Sequence, residues 1–251
     1  MRSITRLLSL ATCLAVIGLS SAHAQLAPGT SDIPGLDQAM RKLFEGVEGF
    51  TTEAVMDIKG GGQNVKLTVA MAMLKGDSWT EVDMGRMEGA AVPPQMLEAF
   101  RKVGMDKMQI LTFAGTGREV MIYPGLKAYA ESKPARAKAD KEGACKTERT
   151  VTGTEEVAGR MCEKSTMKIK CDEQAEITLT VWSDKKNRNL PVKLATAAEG
   201  VELTIQFGEL KLKAPEKKLF DVPADYKKHA SVEELMMANM QKMMQAMQGQ
   251  Q

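Results

Sequence analysis

Two runs in the second half of the chain alternate between apolar and largely polar residues. Ala175, Ile177, Leu179 and Val181 interleave with Glu176, Thr178, Thr180 and Trp182, and Val201, Leu203, Ile205 and Phe207 interleave with Glu202, Thr204, Gln206 and Gly208. A period of two sets every apolar member on the same side of an extended strand. Such strands build an antiparallel sheet with one apolar face, and that face must be covered by a helix, a second sheet or a ligand.

The first half repeats the theme. Residues 50–59 read as a strand, Gly60-Gly61-Gly62 as a turn, and Val65, Leu67, Val69, Met71 and Met73 as one face of the return strand. Lys75-Gly76-Asp77 turns the chain into a third strand over 78–84, which makes a meander. Residues 107–113 and 118–123 flank Ala114-Gly115-Thr116-Gly117, a hairpin signal, and Tyr123-Pro124-Gly125-Leu126 turns into a strand over 127–130. Two helices interrupt this order. Leu36, Met40, Leu43, Phe44 and Val47 recur at helical spacing over 36–48, and Pro93-Pro94 opens a helix with Met96, Leu97, Phe100 and Val103 on one side. Residues 131–143, rich in Lys, Ala and Pro, read as a solvated connector.

At the other end of the chain, Ser231-Val232-Glu233-Glu234 matches a capping box. Met236, Met240, Met243 and Met247, flanked by Met237 and Met244, follow at intervals of three and four, so the spacing predicts a helix over 231–248.

Residues 1–24 have the form of a secretory signal: Arg2 and Arg6, an apolar run over 7–19, and Ala22-His23-Ala24 as the cleavage site. The expectation is export to the periplasm, with one domain over 25–230 and a helical tail over 231–251. Beyond the signal, basic and acidic residues balance, which provides no electrostatic footprint for nucleic acid. Cys145, Cys162 and Cys171 remain, and an oxidising compartment favours one bridge. A hairpin turning at Gly153-Thr154 would set Cys145 opposite Cys162, the expected disulfide; a Cys162–Cys171 bridge would need a bulge or turn near 159–164.

Catalytic chemistry is hard to assemble from this chain. His229 is the sole histidine beyond the signal, so no histidine pair exists for a metal site, and neither a cofactor nor a metal is expected. No Gly-x-Ser-x-Gly turn, phosphate loop or dinucleotide fingerprint occurs, and Glu81 and Asp83 read as a solvated strand face. The outstanding composition feature is nineteen methionines against six phenylalanines, which gives an apolar interior that adapts to varied partners. Met240, Met243, Met244 and Met247 could also serve Cu(I), which prefers thioethers.

Several landmarks stand in order along the chain: Gly153-x-Glu155-x-Val157-x-Gly159-x-x-Cys162-x-Lys164, Val181-Trp182-Ser183-Asp184, Leu190-Pro191-Val192-Lys193, and Leu219-Phe220-Asp221-Val222-Pro223-x-x-Tyr226. Together with the run Met121-Ile122-Tyr123-Pro124-Gly125-Leu126-Lys127-x-Tyr129, this order resembles a secreted bacterial family of unknown function, itself similar to the outer-membrane lipoprotein carrier (LolA-like) superfamily. The resemblance implies an α+β fold: a strongly curved antiparallel sheet, an incomplete barrel, wrapped around helices and enclosing an apolar cavity that in the carriers accepts acyl chains. It supplies no catalytic residues.

The resulting expectation is a non-enzymatic binding protein for a lipid or other apolar molecule. Met71, Met73, Val82, Met84, Leu179, Val181, Leu203 and Ile205 are the expected lining. The alternative is an envelope interaction module docking a protein partner through Met236, Met240, Met243 and Met247.

Overall fold

Twelve strands form one open, curved sheet in the computed structural model of the chain, which describes residues 36–60, 63–89, 93–132, 145–171, 176–198 and 200–248. A first meander comprises β1 (Gly49–Gly60), β2 (Gln63–Leu74), β3 (Asp77–Glu88), β4 (Lys107–Phe113), β5 (Arg118–Tyr123) and β6 (Ala128–Ser132). A second comprises β7 (Cys145–Val157), β8 (Arg160–Cys171), β9 (Ile177–Asp184), β10 (Leu190–Ala198) and β11 (Val201–Phe207), and β12 (Lys227–His229) ends the series. The spatial order is β12-β6-β5-β4-β3-β2-β1-β11-β10-β9-β8-β7. The two meanders therefore join where β1 pairs with β11, Ala54 opposite Phe207 and Ile58 opposite Leu203. All pairings are antiparallel apart from β12 on β6. The proposed signal at 1–24 and most of the connector lie outside the described residues.

Alternation decides which face becomes the core. Leu67 and Val69 of β2, Val82 and Met84 of β3, Leu179 and Val181 of β9, and Leu203 and Ile205 of β11 belong to one contiguous buried cluster. Three helices contribute to the same cluster: Ala39 and Leu43 of α1 (Leu36–Leu43) with the adjoining Phe44, Phe100 of α2 (Pro94–Val103), and Leu235 of α3 (Val232–Gln248). The helices thus share the apolar face of the sheet, hereafter the inner face. Phe44 stacks on Phe50 of β1 at 4.3 Å between ring centroids and meets Phe207 of β11 edge-on at 5.9 Å, which fixes α1 over the seam between the meanders.

Local chemistry sets the helix ends. α1 stops sooner than the spacing predicts, and the chain turns away at Gly46 with φ +79°. α2 opens on Pro94, where a missing N–H costs nothing, and ends at Gly104 with φ +76°, whose N–H is donated to the carbonyls of Phe100 and Arg101. Gly104 also lies backbone to backbone against Gly125: a Cβ on Gly104 would come within 2.8 Å of the Gly125 carbonyl oxygen. This contact seats α2 on the turn between β5 and β6. Half of the capping box forms as expected, the Glu234 N–H donating to Ser231 Oγ at 3.2 Å; the Glu234 side chain reaches one residue further back than Ser231, Oε2 accepting from the Ala230 N–H at 2.8 Å.

The opposite, outer face is apolar only in patches. On β3–β6, Leu111, Val120 and Ile122 are covered by Trp79, Phe113, Tyr129, and by Val222 and Tyr226 from the segment leading into β12. The Leu219–Tyr226 landmark is therefore a strap over the outside of the sheet, with Phe220 buried in it.

One expectation fails here. The β7–β8 hairpin turns at Ala158-Gly159, both with positive φ, with Val157 opposite Arg160. That is the two-residue turn matching strand twist. Gly153 instead relieves a bulge between Val151 and Gly153. The register consequently places Cys162 opposite Glu155, and Cys145 opposite Cys171. Cys162 is a free, fully buried thiol, so the expected Cys145–Cys162 bridge does not exist.

Candidate functional site

A small cavity lies on the inner face beside α1. Met40 and Phe44 from the helix side, Phe50 of β1, Met71 and Met73 of β2, and Ile205 of β11 wall it, and its volume is about 80 Å³. Trp79, Thr80 and Thr112 stand at its edge by the β2–β3 turn. Of the eight expected lining residues, Met71, Met73 and Ile205 reach this cavity. Val82, Met84, Leu179, Val181 and Leu203 share the same core but are closed over, with 9% exposure at most. The residues that strand alternation could not reveal are those of α1. Met40 and Phe44 were visible as an i, i+4 pair, but nothing local says that this pair sits on Phe50 and Phe207.

The apolar face ends in polar residues at its β7–β9 end. The Arg149 guanidinium donates to Ser165 Oγ at 2.9 Å and to Ser183 Oγ at 3.1 Å, and both serines are fully buried. Glu163 lies 3.7 Å from the same guanidinium and 2.9 Å from Lys185, whose ammonium holds the Glu163 carboxyl below the usual range. The hydroxyls thereby gain a charged partner, and the guanidinium reaches across from β7 to β9.

Part of the landmarks at 153–193, namely Glu155, Val157, Cys162, Lys164, Val192 and Lys193, gathers on the outer face around Trp182, whereas Val181 and Leu190 belong to the inner core. The Trp182 indole N–H donates to Glu155 Oε2 at 3.0 Å, and Lys164 donates to the same oxygen at 2.9 Å. The Lys164 and Lys193 ammonium groups lie 5.2 and 4.6 Å from the ring centroid. The indole hydrogen bond, then Lys164, holds the Glu155 carboxyl below its ordinary value. Val157, Cys162 and Val192 pack beneath, and burial, then the Asp184 charge, pushes the Cys162 thiol up. A buried thiol with a raised pKa is a poor nucleophile. The arrangement ties β7 to β10 and offers no reacting group.

On α3, Leu235 and Asn239 turn inward and are buried, whereas Met236 and Met240 of the expected docking stripe are exposed at 42% and 54%. The side chains of Met243, Met244 and Met247, and with them most of the copper reading, lie outside the described residues. His229 is buried at the helix entrance, its Nδ1 3.4 Å from Glu234 Oε1. Among the described residues no group of three or more His, Cys, Asp or Glu side chains is placed to hold a metal ion.

No family model matches the chain, and no characterised protein matches it in sequence. Solved structures similar to it include the lipoprotein LppX of Mycobacterium tuberculosis, at 10% identity and TM-score 0.42 over 73% of this chain and 98% of that one. A DUF1329 family protein from Desulfovibrio piger is 13% identical with TM-score 0.36, over 74% and 94%. A LolA superfamily protein from Nitrosomonas europaea is 11% identical with TM-score 0.34, over 74% and 97%. One of these similar structures is thus itself described as a LolA superfamily protein. With TM-scores below 0.5, no ligand or role transfers from them to this chain.

Proposed function

We propose that this chain is an exported, periplasmic and non-enzymatic protein that binds an acyl chain or similar apolar ligand on its inner face, admitted where α1 lies. The carrying observation is the cavity of about 80 Å³ walled by Met40, Phe44, Phe50, Met71, Met73 and Ile205 beneath that helix. Its volume is far below the roughly 300–1,000 Å³ of ligand pockets, so binding requires α1 to move. Freeing Leu43 and Phe44 from the core costs about 1.5–3 kcal/mol each. A buried methylene returns about 0.8 kcal/mol, so about four to eight methylenes offset the displacement and longer chains bind with net gain. Methionines suit the task, because an unbranched thioether refits around whatever replaces the helix.

The test is titration with fluorescent fatty acids of increasing length, combined with native mass spectrometry. Uptake is expected to begin at medium length and strengthen with each added carbon pair. Phe44→Ala enlarges the cavity and raises uptake several-fold, while Met71→Trp fills it and lowers uptake. Absence of binding in the wild type and in Phe44→Ala alike, with both variants folded, would falsify the proposal.

The exposure of Met236, Met237 and Met240 favours a second role for α3, as the surface met by an envelope protein partner. Replacing Met236 and Met240 by Gln should abolish such an association while leaving fatty-acid uptake intact; loss of uptake in that variant would count against separate sites.

A further inference from the structure

The register of the β7–β8 hairpin brings together two cysteines at its open end. Cys145 is the first residue of β7 and Cys171 the last of β8, and their Cα atoms are direct partners across the ladder. Three features hold that register: the tight turn at Ala158-Gly159, the single bulge at Val151/Gly153, and the pairing of β8 with β9 from Cys162↔Asp184 to Ile169↔Ile177. Directly opposed residues of an antiparallel pair have Cα atoms about 4.5–5.5 Å apart. Disulfides require about 4.4–6.8 Å, so the backbone is already in place for a bridge.

We infer that Cys145 and Cys171 form a disulfide that fastens the open end of the β7–β8 hairpin, with Cys162 left as a thiol. Cys162 cannot compete. It lies near the turn end of β8, about 30 Å from Cys171 at about 3.3 Å per residue, and it is sealed under Trp182, Val157 and Val192. The bridge has a structural purpose. β7 is an edge strand, paired on one side only, and its outer-face and inner-face residues would exchange sides if it slipped by one position. The Ala158-Gly159 turn fixes one end of that strand, and a covalent tie at Cys145 fixes the other, where the chain enters from the first meander. A fixed edge also resists pairing with foreign strands.

The chemistry is thiol–disulfide exchange. The thiolate of one cysteine attacks a low-molecular-weight or protein disulfide, releasing one thiol; the second cysteine then displaces the other, releasing a second thiol. Two cysteine thiols are oxidised to one cystine, and one external disulfide is reduced to two thiols that carry the hydrogens.

The experiment is equilibration of the folded, full chain in graded mixtures of reduced and oxidised glutathione, followed by alkylation, digestion and peptide mapping. One linked peptide pair containing Cys145 and Cys171 is expected, forming without accumulation of glutathione adducts, while Cys162 becomes alkylated only after unfolding. The oxidised protein should melt several degrees above the reduced one, and the Cys145→Ser/Cys171→Ser variant should show no such difference. Stable separate glutathione adducts on Cys145 and Cys171, or any linked peptide that includes Cys162, would overturn the assignment. So would both thiols staying reduced throughout.

Discussion

Single residues in this protein are tuned mainly by whether they meet water. Tyr123 is 3% exposed, at the end of β5 within the inner core, and burial pushes its phenol up to about 12. Burial disfavours the phenolate, so the folded chain keeps this proton at pH values where the unfolded chain, ionising near 10, has lost it. The sign follows from linkage: a stabilising contribution is complete below pH 10 and is lost as pH rises through about 12. Its size is on the order of 2 kcal/mol. Comparing urea midpoints of wild type and Tyr123→Phe across this range should show the wild type losing stability relative to the variant. Equal slopes would mean that the phenol is solvated. Glu155 illustrates the reverse case, since its indole and ammonium partners favour the ionised form at a fully exposed site, where ion pairs contribute little to stability.

Elements are held by their ends and by a few buried anchors. α3 meets the body of the protein through Leu235 and Asn239, and its start is secured by two bonds, the Glu234 N–H to Ser231 Oγ and the Ala230 N–H to the Glu234 carboxylate. Ser231→Ala removes one of these bonds and leaves a helix N–H without its partner. The expected cost is about 1 kcal/mol, read as a lower denaturation midpoint and faster amide exchange confined to the first turn of α3. Unchanged exchange there would show that solvent replaces the hydroxyl at no cost. The capping motif was legible because it is local, with spacing and chemistry in four consecutive residues. The β7–β8 turn was not. Gly153 and Gly159 both advertise a backbone that L side chains avoid, and only the pairing of β8 with β9 shows which one turns the chain and which one eases a bulge.

For the whole molecule, the decisive fact is that the inner face of the sheet and three helices make one core. The expected lining residues do lie together, but most are closed over within the core, and the cavity beside α1 is small. Alternation could announce an apolar face without stating what covers it, because helix, ligand and second sheet satisfy the same physical demand. The landmarks at 153–193 and 219–226 likewise looked like signs of a binding fold. In the structure Val181 and Leu190 enter the inner core, and others hold the exterior: Trp182 with its lysines ties four strands, and Val222 with Tyr226 straps β3–β6.

What the amino-acid order determined alone is whatever depends on neighbours within a few positions: strand faces from period two, α2 from its proline start, α3 from its cap. What only the tertiary structure decided is whatever depends on partners distant in sequence. The meeting of β1 with β11, the seat of Phe44 between Phe50 and Phe207, and the pairing of Cys145 with Cys171 all belong to that second class. The physical reason is that local propensities fix where a side chain points from its own strand or helix, whereas register and packing fix what it points at.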